Sequence, residues 1–439
     1  MNRRHHITRR AFLRQAASTA GGVTAFPYII SSSALGKAGS VAASNRITVG
    51  CIGVGGRGTG VMQGLLATSE VQVVGICDVD ANRLKVVKNL LAKKYSSEDC
   101  AVCTDFRELI SRDDIDAVSI ATPDHWHALT AVAAARAGKA IYCEKPLALT
   151  VEQGRKMVEV VHRYGAVFQT GTQHRSEQHF RHACELVRNG RIGKLHTVEV
   201  EIPGSMSTKG FDFGPAPENL DYDMWLGPAP QAPYSPKRVD SFGWRWILDY
   251  AGGCVTDWGA HHIDIAQWGM GTTDTGPVEV HGKGVFPKDG LFNAAVHWRF
   301  ECEYANGVTV VCFAESELLR RGRYPNGIKF IGDKGWLFVD TSSIDAEPKS
   351  VLKEEIGPDE VHLYKSSNHF QNFIDCIKTR MPTAAPVEQA HRSVTVCHLG
   401  NIAMQLGRRI RWDPAAEKII GDEQAGRMLT RPVRSPWHL

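Results

Sequence analysis

Between residues 46 and 172 the chain alternates short apolar runs with longer stretches of helical period. Segments 47–52, 71–77, 117–121, 140–143 and 167–170 read as strands, and 60–67, 81–94, 128–137 and 151–164 as helices. Strands spaced by helices of this length predict a parallel sheet with right-handed crossovers, whose ligand sits beyond the strands' carboxyl ends.

Past residue 175 the pattern changes. A helix over 178–189 and a β stretch over 195–202 precede a loop spanning 203–249, rich in glycine, proline and aromatics. Such a loop is far longer than an ordinary connection of about 4–6 residues, and Trp225, Trp244, Trp246 and Tyr250 argue against disorder in it. Alternating segments at 278–285, 294–304, 308–315, 327–331 and 335–339, with Asn306-Gly307 and Asp333-Lys334-Gly335 as turns, predict a mostly antiparallel sheet. Helices follow at 368–379 and 387–407, and residues 410–439 read as a polar, proline-bearing tail. The expected fold is α/β: an N-terminal doubly wound parallel sheet over 46–172, then an α/β domain with a large open sheet over 173–439.

The first 43 residues stand apart. Thr8-Arg9-Arg10-Ala11-Phe12-Leu13-Arg14 has the form of a twin-arginine export signal, followed by a weakly apolar stretch and small residues that offer cleavage after Gly36 or Ala43. Gly21, Gly22 and Pro27 break the apolar run short of the ~20 residues needed to span a bilayer. The expectation is therefore a cleaved leader, a periplasmic or otherwise exported protein, and the twin-arginine translocation machinery as a partner. The formal charge of +4 comes from this leader, whose removal leaves 45 basic against 47 acidic residues. A chain so close to neutral has no field for steering onto nucleic acid or an anionic membrane. The cysteines number eleven and are scattered; only Cys100 and Cys103 are close together, which leaves buried thiols or one disulfide as readings.

Candidate chemistry concentrates at strand ends. Gly53-Val54-Gly55-Gly56-Arg57-Gly58 follows the first strand, and Asp78 ends the second about 20 residues later, as in a dinucleotide site. The glycines admit the pyrophosphate to the helix N-terminus, and Asp78 favours NAD over NADP by repelling a 2′-phosphate. Arg57 and Arg83 soften that preference. Thr122, Asp124 and His127 follow the strand at 117–121 and are candidate cofactor contacts, although Pro123-Asp124 could equally be a plain helix start. Glu144-Lys145-Pro146 ends the next strand, where a lysine either transfers protons beside the nicotinamide or is an ordinary surface residue. In Gly252–Asp264, Asp257 and His261 are i,i+4 neighbours if helical, so the carboxylate would hold the imidazole as a base for an alcohol proton. A zinc site from His261, His262 and Asp264 is disfavoured, because adjacent histidines diverge on a helix, and no metal is expected. His174, Arg175, Trp246 and His262 complete the candidate substrate contacts, with Trp246 equally readable as local core.

Together Gly53–Gly58, Ala121-Thr122-Pro123 with His127, Glu144-Lys145-Pro146, and Gly252-Gly253 followed by Asp257 and His261 resemble the Gfo/Idh/MocA family of sugar and inositol oxidoreductases over residues 47–407. The resemblance implies a Rossmann domain, an open-faced sheet that mediates homo-oligomers, proton transfer by Lys145 and His261, and Asp257 as the orienting group. It implies hydride transfer between a nicotinamide and a sugar, polyol or glycoside. Little free NAD is available outside the cytoplasm, so a tightly held, recycled cofactor is expected. Two alternatives stay open: glycoside cleavage or epimerisation through a transient keto sugar, and a non-catalytic carbohydrate binder with structural NAD.

Overall fold

The six strands of the N-terminal half hydrogen-bond side by side in the order β3-β2-β1-β4-β5-β6, all parallel. They are β1 (Ile47–Ile52), β2 (Val71–Cys77), β3 (Ala101–Cys103), β4 (Ala117–Ile120), β5 (Ala140–Cys143) and β6 (Phe168–Thr170). The computed structural model describes residues 45–314 and 326–439, so the export leader lies outside the described residues. Strand order reverses between β1 and β4, which opens a crevice at the carboxyl ends. Register then aligns the chemistry. Ile52 pairs with Cys77 and with Ile120, and Ile120 with Cys143, so Gly53, Asp78, Ala121 and Glu144 all begin the loops of one edge.

Two helices start earlier than the sequence suggests. Gly56–Leu66 begins inside the glycine turn, where low-propensity residues hide a helix, and Asp124–Arg136 takes in the whole Asp-His-Trp-His run. Pro123 precedes that helix in extended conformation. Asp124, His125, Trp126 and His127 are all buried, so this polar run is interior structure rather than surface loop. All eleven cysteines are free thiols; Cys100 precedes β3 and Cys103 ends it, without bridging.

The second sheet has nine strands in the order β13-β12-β11-β7-β10-β9-β8-β14-β15. These are β7 (Leu195–Glu201), β8 (Glu279–Val285), β9 (His297–Glu303), β10 (Thr309–Ala314), β11 (Gly327–Gly332), β12 (Gly335–Val339), β13 (Ile344–Glu347), β14 (Ile410–Asp413) and β15 (Lys418–Ile420). Among the described residues of this sheet, only β7 and β10 pair in parallel. Burial alternates along β9: Trp298, Phe300 and Cys302 face the core while His297 and Arg299 are exposed, the signature of a sheet covered on one face. Helices Gln178–Arg188, Gly259–Met270 and Val387–Leu406 supply that cover. The last of these joins both halves, with Val387, Ala390 and Val394 in the core beside the parallel sheet and Leu399 and Ile402 in the core of the second. Residues 47–439 accordingly form one compact unit.

One sequence expectation needs correction here. Residues 410–439 are not merely a tail: β14 and β15 extend the sheet, and helix Glu423–Arg427 follows. The segment 203–249 is ordered, as its aromatics suggest, with Trp225, Leu226, Trp246 and Ile247 packed in one apolar cluster with Tyr250, Leu291 and Phe292, which offsets the entropy of ordering so long a connection.

Candidate active site

At the crevice the backbone itself makes a cradle. Gly53 has φ +79, and a Cβ there would lie 2.7 Å from the Ala121 carbonyl oxygen; a Cβ on Gly58 would lie 1.8 Å from that of Gly53. Only glycine fits either place. No side chain caps helix Gly56–Leu66, so its first-turn N–H groups stay open to an anion. Asp78 fixes the turn from beside it, accepting from the Val54 N–H at 2.8 Å and the Asp80 N–H at 3.0 Å. Burial pushes its carboxyl up, against the pull of Arg83. A cleft runs over this surface, bordered by the glycine turn, Asp78, Arg83, Thr122 and Trp126. These features fit a dinucleotide: a side-chain-free turn, an uncapped helix end and an acid at the neighbouring strand.

Lys145 bridges the two halves of the molecule. Its Nζ donates to the Asp257 carboxylate at 2.7 Å and to the Asp257 carbonyl at 2.8 Å, and Arg245 Nε lies 3.6 Å from the same carboxylate oxygen. Burial raises the Asp257 carboxyl, but Lys145 and Arg245 outweigh it and hold the group below the usual carboxylate range. Glu144 turns the other way, to Arg57 at 2.7 Å, and packs so closely on Gly171 that a Cβ there would lie 2.6 Å from its Oε1. The expected grip of Asp257 on His261 is not what forms. Helices Cys254–Asp257 and Gly259–Met270 are separate at Trp258, and the carboxylate is spent on a lysine from another strand end.

His261 lies beside this pair. Burial first, then the charge of Lys145 and the neighbouring His174, keep its imidazole well below the ordinary histidine value, and its Nδ1 is buried without a partner. The His174 ring is 4.7 Å from that of His261, and its Nδ1 is 3.0 Å from Glu177. His262 points away into the interior, where burial and His174 lower it to about 3. Asp124 is the other buried acid of the cluster. Its Oδ1 has no partner, and burial reinforced by Asp257 pushes the carboxyl up to about 8 against Arg245 and Lys145.

Three proposed ligand contacts are placed elsewhere. His127 sets Nδ1 2.7 Å from the Pro146 carbonyl and Nε2 2.9 Å from the Thr122 carbonyl, so whichever nitrogen carries the proton donates to backbone, and neither faces a cofactor. Arg175 is buried on Asp264 at 2.5 and 2.8 Å, reaches Gln389, and stacks over Trp268, leaving it no exposed donor for a substrate. Trp246 belongs to the core of the 203–249 segment. Thr122, by contrast, borders the cleft with an unpartnered hydroxyl. Trp244, one of the candidate stacking aromatics, borders the cleft, whereas sequence reasoning missed Arg245 and Gln173, the latter donating to Tyr142 at 2.8 Å and lying 3.4 Å from Glu144. Nothing in the local pattern of a basic residue between tryptophans marks it as a site residue. Among the described residues no His, Cys, Asp and Glu cluster is arranged to hold a metal, and no helix is long and apolar enough to cross a membrane.

Comparison with known proteins matches residues 47–172 to the NAD-binding Rossmann fold of the Gfo/Idh/MocA oxidoreductases, and residues 206–439 to their C-terminal alpha/beta domain. The chain is 24% identical to myo-inositol 2-dehydrogenase of Thermotoga maritima over 389 residues, 85% of this chain and 99% of that protein. It is 33% identical to alpha-N-acetylgalactosaminidase of Shewanella oneidensis, but over 177 residues, 36% of this chain and 38% of that one. The crystal structure of aldose-aldose oxidoreductase from Caulobacter crescentus complexed with glycerol superimposes with a TM-score of 0.61 at 21% identity, covering 83% of this chain and 99% of that one.

Proposed function

Since the chain belongs to the Gfo/Idh/MocA oxidoreductase family, we propose that it is an exported enzyme acting on a CH–OH group of a sugar, polyol or glycoside, with a dinucleotide it retains between turnovers. The observation that carries this reading is the Lys145–Asp257 contact beside His261, because it joins the end of a Rossmann strand to the polar cluster of the second domain. A bound nicotinamide supplies the hydride acceptor or donor. The chain's own groups do the rest. His261, kept neutral by its surroundings, accepts the hydroxyl proton as the alcohol is oxidised and returns it in the reverse direction. Lys145, held by Asp257, donates a hydrogen bond to the substrate oxygen and fixes its distance from the imidazole. Gly53, Val54, Gly55, Arg57, Gly58 and Thr122 hold the dinucleotide, and Asp78 takes the adenosine ribose, which favours NAD.

The twin-arginine motif supports export, since that route carries folded proteins with cofactor inside; changing Arg9 and Arg10 to lysine should leave unprocessed protein in the cytoplasm. The open sheet face bearing His297 and Arg299 supports a homo-oligomer. The decisive experiment incubates purified protein with a sugar panel while following its own bound-cofactor absorbance. Reduction by one sugar and reoxidation by a second, abolished in Lys145→Met, is expected; protein that arrives empty and turns over only with millimolar NAD counts against retention.

The shared stretch with alpha-N-acetylgalactosaminidase favours a second reading, redox-assisted glycoside cleavage with no net change in cofactor. Release of nitrophenol from a nitrophenyl N-acetylgalactosaminide, dependent on bound NAD, distinguishes it from simple oxidoreduction.

A further inference from the structure

The segment that roofs the cleft is itself tied down by the end of the chain. Met224, Trp225, Trp244 and Arg245 border the cleft from the 203–249 segment, opposite the glycine turn. One part of that segment is pinned to the end of β2, where Asp221 N–H donates to Val79 at 2.9 Å and Ala81 N–H to Asn219 at 2.9 Å. Its far end is held by residues 293–294, whose N–H groups donate to the Trp246 carbonyl at 2.9 and 3.0 Å, and further fastenings come from residues 431–439. Arg431 donates to the Leu248 carbonyl, and Arg434 to the Gly227 carbonyl at 2.7 Å, the Asp223 carboxylate at 2.6 Å and Gln231 at 2.9 Å.

Trp437 then braces the facing wall. Its ring meets Trp126 edge-on at 4.7 Å and Phe106 at 6.4 Å, with the Arg107 guanidinium 5.2 Å away. Trp126 and Phe106 both border the cleft. Trp126 also donates to the Met224 and Trp225 carbonyls at 3.2 Å, and lies so near Gly227 that a Cβ there would come within 2.1 Å of its ring. The terminal segment thus holds the roof and one wall together without itself bordering the cleft.

We propose that residues 431–439 are a latch that sets how long the dinucleotide stays bound, with Arg434 and Trp437 as its positioning residues. This rests on the reading that the cofactor is retained. A roof of such length opens at an entropic gain when its fastenings go, and apparent affinity falls in proportion to the closed fraction. Trp437→Ala and Arg434→Ala should each speed NADH release by about tenfold or more, while turnover at saturating dinucleotide falls far less. Trp437→Phe, which keeps an aromatic edge on Trp126, should restore most of the residence time.

The measurement is displacement of bound NADH, followed by its fluorescence in stopped flow, on full-length protein carrying each substitution. Release rates of both alanine variants within twofold of the parent overturn the proposal, as does equal release from Trp437→Ala and Trp437→Phe. Failure of the retention reading would show separately, as rapid release from the parent itself. The latch is judged on the ratio of variant to parent. A dinucleotide-free melting temperature that falls as far in Trp437→Phe as in Trp437→Ala would assign Trp437 to general stability and also overturn it.

Discussion

Replacing Asp124 by asparagine should stabilise the folded protein at neutral pH and leave it nearly unchanged near pH 4. The carboxyl is 2% exposed, its Oδ1 has no partner, and Asp257, Lys145 and Arg245 are the charged groups that act on it. In the folded chain its pKa is pushed from 3.8 to about 8. The folded state therefore keeps a proton that the unfolded chain has lost, and stability declines as pH rises through that window. At pH 7 the difference spans about three pH units above the unfolded value, or about 4 kcal/mol at ~1.4 kcal/mol per unit. Asparagine has no charge to suppress, so this cost disappears. With an unfolding entropy of roughly 2 cal/mol/K per residue, the gain corresponds to about 5 °C in Tm at pH 7, against less than about 1 °C at pH 4. Calorimetry of dinucleotide-free protein at the two pH values, at matched ionic strength and scan rate, measures it. Equal shifts at both values, or a less stable variant at pH 7, would refute a protonated Asp124.

Other consequences follow from single contacts. Arg175→Met leaves the buried Asp264 carboxylate unpaired and should lower stability by about 3–5 kcal/mol, read as a fall in Tm; a fall below about 1 °C would show that the pair is not a core element. Gly58→Ala places a Cβ against the Gly53 carbonyl and should weaken dinucleotide binding by about tenfold or more in a fluorescence titration, with parental affinity contradicting the cradle. His261 has its pKa lowered and a base works above its pKa, so activity should persist as pH falls through 6.5. An acid limb centred at 6.5 or higher, unchanged in His261→Gln, would remove the imidazole from proton transfer.

Much of the N-terminal half is legible because its rules are local. The central β runs are largely apolar on both faces, and register alone brings Gly53, Asp78, Ala121 and Glu144 to one edge. What escapes is β3, whose three residues are too short to show a period, and the starts of two helices, hidden by glycines in one and by Asp-His-Trp-His in the other. That second run is polar by composition but interior by placement: His125 reaches the Trp225 carbonyl and His127 two more, contacts that only the folded 203–249 segment and the Pro146 loop create. Arg175 was likewise opaque, because its partner Asp264 lies 89 positions on.

The largest discrepancy concerns Asp257, and its cause bears on the chemistry. Helical spacing pairs it with His261, four residues away, yet that rule holds only if one regular helix runs through both; here the His261 N–H donates to the Trp258 carbonyl at 3.0 Å and the Asp257 carbonyl accepts from Lys145 instead. Freed from the helix face, the carboxylate meets Lys145, 112 positions earlier. A carboxylate bonded to the imidazole would raise its pKa; with the carboxylate on the lysine instead, burial and the nearby cations prevail, and His261 stays neutral. The interdomain contact therefore leaves a base able to accept a proton at ordinary pH. It follows that Asp257→Asn should impair more than lysine placement: without the anion, the Lys145 ammonium acts on His261 unscreened, and the acid limb should move to lower pH rather than higher. A limb that moves upward in Asp257→Asn would refute this electrostatic account, because loss of an anion near the imidazole lowers its pKa.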